Sequence, residues 1–160
     1  VDSNKVDTVI TGIAGKKGFS VISIEKSMMN AEIGFGRKVL EVLEKHGVSF
    51  EHVPSGVDTM SVIVSTDAID KYRDEITAGI FKLVNADSVA IEDGLALIAV
   101  VGRGMVKAKG TAARVFSSIY NAGINIKMID QGSSELNIIV GVEERDLEKA
   151  VNAIYGEFVK

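Results

Sequence analysis

Few residues in this chain have the chemistry to react, and they are widely spaced. There are no cysteines, which removes a thiol nucleophile, a thiolate metal site and a disulfide frame. His46 and His52 are the only histidines. His46 stands before Gly47 in the manner of a helix end, and His52 follows Glu51 in a strand-like run. Without an H-x-x-x-H pair or a cysteine, no zinc ligand set can be drawn, and no metal is expected. A serine nucleophile would need a G-x-S-x-G elbow, which is absent. Gly132-Ser133-Ser134 reads as a turn. Glu143-Glu144 could pose as paired carboxylates, but they are expected to open the last helix, where negative charge meets the helix dipole favourably. No catalytic residue is assigned.

Glycine-rich segments are the other candidates: Gly12–Gly18 (GIAGKKG), Gly34-Phe35-Gly36 and Gly102-Arg103-Gly104. None ends in the Gly-Lys-Ser/Thr of a phosphate loop, and none gives a full G-x-G-x-x-G. They read as tight strand-to-helix turns. Gly34 to Gly36 falls where a helix begins, and backbone N–H groups there can hold a carboxylate such as that of an amino acid. Met28-Met29 lie just before it, either filling core gaps or lining a pocket.

The elements that must position these residues come from a repeat. Gly34 and Gly110 lie 76 residues apart, as do Gly47 and Gly123, and Gly56 and Gly132. Ile22/Ile98, Met29/Met105, Val39/Val115, Ile63/Ile139 and Val64/Val140 agree at the same offset, without a gap from Phe19/Leu95 to Ser65/Gly141. Within the first copy, Phe19–Ile24 reads as a strand. A helix follows from Gly36 with Val39, Leu40 and Leu43 on one face, stopped by His46-Gly47. Val48–Val53 and Met60–Val64 read as strands joined by the Pro54–Asp58 hairpin. Thr66-Asp67 caps a second helix carrying Ile69, Tyr72, Ile76, Ile80 and Leu83, and Val89–Ile91 is a last short strand.

That order is βαββαβ. The second copy runs from Leu95 through a helix at Thr111–Ala122, strands at Ile124–Ile129 and Leu136–Val140, and a helix carrying Leu147, Val151, Ile154, Tyr155 and Phe158. It lacks a closing strand, and Thr8–Ile13 is left over at the other end. The fold class is therefore α+β: two ferredoxin-like βαββαβ modules, each an antiparallel four-stranded sheet backed by two helices, the first inserted in the second. The boundaries are 17–93 for the first module and 5–14 plus 94–160 for the second.

The chain has 160 residues, 46% hydrophobic and 25% charged, the composition of an ordinary globular protein. Its longest apolar run, Leu95–Val101, is far too short for a membrane span. The first residue is Val1 rather than Met, which reads as a piece of a longer protein or a trimmed chain, and no signal peptide is expected. The net charge of −4 and a pI near 5.2 argue against nucleic acid and anionic membranes as partners. RNA-binding sheets share this topology, but Phe35 precedes a helix instead of standing on a sheet face to stack bases.

Two stretches carry a resemblance. One comprises Ile10–Ala14 (ITGIA), Lys17–Ile22 (KGFSVI), Gly34–Leu40 (GFGRKVL) and Pro54–Asp58 (PSGVD). The other comprises Glu92–Gly102 (EDGLALIAVVG) and Asn125–Glu135 (NIKMIDQGSSE). Together they resemble the C-terminal regulatory region of aspartate kinase, a tandem of ACT modules, over essentially the whole chain. The resemblance implies a parent enzyme that phosphorylates the aspartate side chain with MgATP, toward lysine, threonine, methionine and diaminopimelate. The Lys-Phe-Gly-Gly-like motif of the upstream kinase domain is absent, so this fragment should hold no cofactor and be inactive alone.

The resemblance further implies that a feedback amino acid, lysine first and threonine next, binds the first module at its homodimer interface. By position its contacts are Met29, Glu32, Phe35 and Gly36 from the loop before the first helix. The following strand supplies Ser49, Phe50 and Glu51, and the hairpin supplies Ser55 and Asp58. Glu51 stands where lysine-sensitive relatives often have Asp, and the hairpin is longer than theirs. Asn125, Ile126 and Gln131 of the second copy suit contacts between modules. A ligand-free ACT assembly module in the cytoplasm is the alternative reading.

Overall fold

The computed structural model describes residues 10–102, 110–132 and 137–159. The chain divides into two compact units: Gly18–Gly94, and Leu95–Lys160 together with the N-terminal residues up to Lys17.

Strand β1 (Gly12–Glu25) enters the first unit at Gly18. Within it Ser20, Ile22 and Ile24 are fully buried, while Val21 and Ser23 between them are half-buried, the period-2 signature of a strand with one face on a core. Then come α1 (Phe35–Lys45), β2 (Phe50–His52), β3 (Thr59–Ser65), α2 (Thr66–Ile69), α3 (Arg73–Val84) and β4 (Ser88–Val101). The strand order here is β2-β3-β1-β4. β1 and β3 are antiparallel, with Ile22 opposite Val62 and Ile24 opposite Met60. On the β4 side, Asp87 N–H donates to Glu25 O at 2.8 Å. Val39, Val42 and Leu43 of α1 and Ile76, Ile80 and Val84 of α3 join the strand residues in one core. Each such side chain, fully buried, contributes about 1.5–3 kcal/mol.

The second unit uses β4 from Leu95 onward, α4 (Thr111–Asn121), β5 (Met128–Asp130), β6 (Asn137–Glu143) and α5 (Leu147–Phe158). Its order is β5-β6-β4-β1. The N-terminal segment lies beside β4, where Thr11 N–H donates to Val101 O at 2.7 Å. Ile98, Val115, Ile119, Val140, Val142, Ile154 and Phe158 form its core.

Several expectations are corrected. The segment Gly12–Gly18 is not a strand-to-helix turn but part of β1, continuous with the strand expected at Phe19–Ile24; Thr8 and Val9 lie outside the described residues. Gly15 is there because α5 passes close over the strand: a Cβ at this position would fall 2.7 Å from Leu147 Cδ1. Val89–Ile91 and the strand at Leu95 likewise merge into the single β4.

The gapless 76-residue register also fails. It holds for α1 and α4, but Thr59–Ser65 corresponds to Asn137–Glu143, an offset of 78, with the same burial pattern residue for residue. The chain between Gly123 and β5 is two residues longer than that between Gly47 and β2. α3 and α5 are offset by 74, because the second copy passes from β6 through one 3-10 turn (Glu144–Asp146) with no counterpart of α2. A slip of two leaves every strand residue on its original face, so the hydrophobic pattern fits either register.

The helix expected from Thr66 breaks at Asp70–Tyr72, and Tyr72, Leu83 and Tyr155 are 39%, 40% and 56% exposed and so leave the core. Glu143 ends β6 and Glu144 opens the 3-10 turn, so neither starts α5. Ile124 precedes β5, buried with its N–H on Ile119 O. The Arg103-Gly104, Ser133-Ser134 and Leu136 readings fall outside the described residues.

Candidate functional site

The loop between β1 and α1 is held by backbone and carboxylate contacts. Lys26 N–H donates to Asp58 O at 2.9 Å, and Asn30 N–H to Val57 O at 3.1 Å. Met28, in the left-handed region at φ 60°, donates its N–H to Asp58 Oδ1 at 2.8 Å. Ser27 N–H donates to Asp87 Oδ2 at 2.9 Å. The Pro54–Asp58 hairpin thus grips this loop. It is closed by Gly56 N–H to Thr59 O and Ser61 N–H to Pro54 O. Gly34, at φ 82°, then turns the chain into α1, a conformation that a side chain would disfavour. Met29 and Phe35 are buried beneath, and Gly36 sits in the first turn with Met60 Cε 3.8 Å from where a Cβ would be.

A compact charge cluster lies in this loop. Lys26 Nζ donates to Glu32 Oε1 at 2.5 Å and to Val84 O, the last carbonyl of α3, at 2.6 Å. Lys38 Nζ approaches Glu32 Oε2 at 3.8 Å. The hydrogen bond from Lys26, helped by the charges of Lys26 and Lys38, holds the Glu32 carboxyl below the usual carboxylate range. Lys26 Nζ also stands 6.0 Å from the centre of the Phe35 ring.

The remaining expected residues sit elsewhere on the same unit. Ser49 and Phe50 line an open groove of about 1000 Å³, walled on the other side by Arg37, Leu40, Glu41 and Glu44 of α1. Arg37 and Lys45 pair with Glu41 along α1 and hold its carboxyl below the usual range, the Lys45 hydrogen bond first. Phe50 is 48% exposed on the edge strand β2. Glu51 is exposed on β2, and Ser55 Oγ bonds weakly to Val53 O at 3.4 Å. The structure therefore gathers Met29, Glu32, Phe35, Gly36 and Asp58 around the start of α1, and places Ser49 and Phe50 in the groove beside α1.

Sequence reasoning missed two features. One is Lys26, which no motif marks. The other is a polar cluster around fully buried Ser20, whose Oγ lies 2.7 Å from Thr66 Oγ1 and donates to Asp93 Oδ1 at 2.6 Å. Arg73 pairs with both Asp93 and Asp70. Ser20 first, and then Arg73, hold the Asp93 carboxyl below its usual range. A serine in a buried strand position was the available signal, since Ala96 occupies the equivalent place in the second copy. In the second unit Arg114 pairs with Glu157 at 3.0 Å and lies 4.3 Å over the Phe158 ring, joining α4 to α5. Among the described residues no group of three or more His, Asp or Glu could hold a metal, and no helix is long and apolar enough to cross a membrane.

Residues 98–158 match the ACT domain family model. With the ferredoxin-like plan of the two units, the chain is similar to ACT-type regulatory regions. Over 93% of its length it is 45% identical to aspartokinase 3 of Bacillus subtilis, of which it spans 33%. It superposes with a TM-score of 0.90, at 54% identity, on the aspartate kinase of Clostridium acetobutylicum, described as an allosteric enzyme, covering 93% of this chain and 34% of that one. The regulatory subunit of aspartate kinase from Thermus flavus shares the fold (TM-score 0.81, 20% identity) over 94% of this chain and 99% of that one. These matches support a C-terminal regulatory region of aspartate kinase; the chain spans about a third of the full-length relatives it matches.

Proposed function

We propose that this region binds an end-product amino acid, lysine in the first place and threonine next, and transmits feedback inhibition to an aspartate kinase. The observation that carries the reading is the loop-and-hairpin grip around the start of α1, which gathers five of the expected contact residues. Amides at Phe35 and Gly36 hold the ligand carboxylate, favoured by the helix dipole. Glu51, Asp58 or carbonyls of β2 take the ammonium groups. Acidic side chains near the pocket suit lysine, which carries two. The ligand binds one conformation better and so shifts the population toward the inhibited enzyme.

The parent kinase domain would supply MgATP and aspartate chemistry, in the cytoplasm, and this region alone would turn nothing over. The module at 17–93 is the sensor. The module at 5–14 plus 94–160 is scaffold and coupler. Homodimers form through ACT modules, and exposed Phe50 on the β2 edge favours this; a ligand-free dimerisation module is the second reading. Calorimetry with lysine, threonine and methionine tests the proposal. Binding of lysine or threonine supports it, and silence from all three in a folded dimer rejects it. Glu51→Ala should weaken lysine more than threonine.

A further inference from the structure

The Glu32 carboxylate lies between two ammonium groups, Lys26 and Lys38. Lys26 is fixed from behind by Val84 O at the end of α3, and from its own backbone by Asp58 O, so it is anchored rather than free to follow Glu32. The peptide carbonyl of Glu32 accepts the Phe35 N–H at 3.4 Å, a long bond on one of the amides that open α1. One internal carboxylate thus engages two cations, while its own backbone engages a helix-start amide. These are the groups a free amino acid's carboxylate would seek.

We infer that Glu32 is a resident stand-in for the effector's carboxylate: it fills a cationic seat made by Lys26 and Lys38 beside the start of α1, and the arriving amino acid displaces it. This deepens the proposed function and rests on it. The seat is selective for a carboxylate-bearing ligand, since only an anion can replace Glu32 without leaving two partly buried ammonium groups facing each other. Displacement also releases the loop at Glu32 from Lys26, while Lys26 stays on α3. Ligand binding in this way alters the link between the loop and the end of α3.

An ordinary contact role for Glu32 makes the opposite prediction. If Glu32 held an effector ammonium, neutralising it would weaken binding. If it is a competitor, neutralising it strengthens binding. The experiment is calorimetry of the folded chain with L-lysine, L-threonine and their methyl esters, on the unchanged protein and on Glu32→Gln, Lys26→Met and Lys26→Arg.

Glu32→Gln should tighten the free amino acid by roughly three- to tenfold, the size expected when one carboxylate stops competing for a charge-assisted bond. It should leave the methyl ester, which lacks the carboxylate, unchanged. Lys26→Met should weaken the free acid, with Lys26→Arg retaining most of the affinity. Weakened or unchanged binding in Glu32→Gln overturns the inference, and it does so even if Lys26→Met fails to fold. If the unchanged protein binds lysine or threonine and only the Glu32→Gln result fails, the proposed function stands without this inference. If the unchanged protein binds neither, both fall.

Discussion

Asp93 shows how a single charge supports the first unit. The Ser20 hydroxyl and the Arg73 guanidinium both favour its ionised form. Its folded pKa is therefore below the unfolded one. That contribution to stability is complete above the unfolded carboxylate pKa and fades as pH falls through the folded value. Asp93→Asn should lower the melting temperature at neutral pH, and the gap to the unchanged protein should close as the solution becomes acidic. A pH series of thermal melts checks this; a gap that persists in acid would mean the loss comes from packing. Neither Asp93 nor Lys26 was legible beforehand. Asp93 finds Ser20, and Lys26 finds the Val84 carbonyl, across 73 and 58 residues of chain, and no motif joins residues so far apart. The residues at the start of α1 were legible because Gly34 and Gly36 mark a helix start and the resemblance supplied their neighbours.

At the level of elements, hydrophobic period and helix stops found the helices and the paired strands. The breaks were harder. Glycines in β1 and β4 look like turn residues, but Gly15 lies inside a strand because Leu147 of α5 needs the space. Gly15→Val should therefore destabilise the second unit by about 1–3 kcal/mol, the usual cost of overpacking, with urea denaturation as the measure. A change within 0.5 kcal/mol would mean that α5 shifts freely. Removing residues 1–14 should strip the N-terminal segment and the start of β1 from beside β4, expose that edge and lower the melting temperature of the second unit, because Thr11 loses its bond to Val101. An unchanged melt would refute the pairing. The two-residue slip in the repeat could not have been seen in the hydrophobic pattern, since strand alternation is blind to it.

For the whole molecule, the two units share a plan and differ in what they add to it. The Gly18–Gly94 unit carries the gripped loop, the Lys26–Glu32–Lys38 cluster and the groove along α1. The other carries the Arg114–Glu157 and Phe158 tie between its helices. Among the described residues, these features of the Gly18–Gly94 unit support the proposal that it is the module that senses. The most direct test is a map of amide chemical shifts while lysine, and separately threonine, is titrated into the folded chain. Saturable shifts concentrated at Phe35, Gly36, Glu51 and Asp58 are the expected result. Shifts confined to Leu95–Lys160, or no saturable shifts with either amino acid, would contradict it.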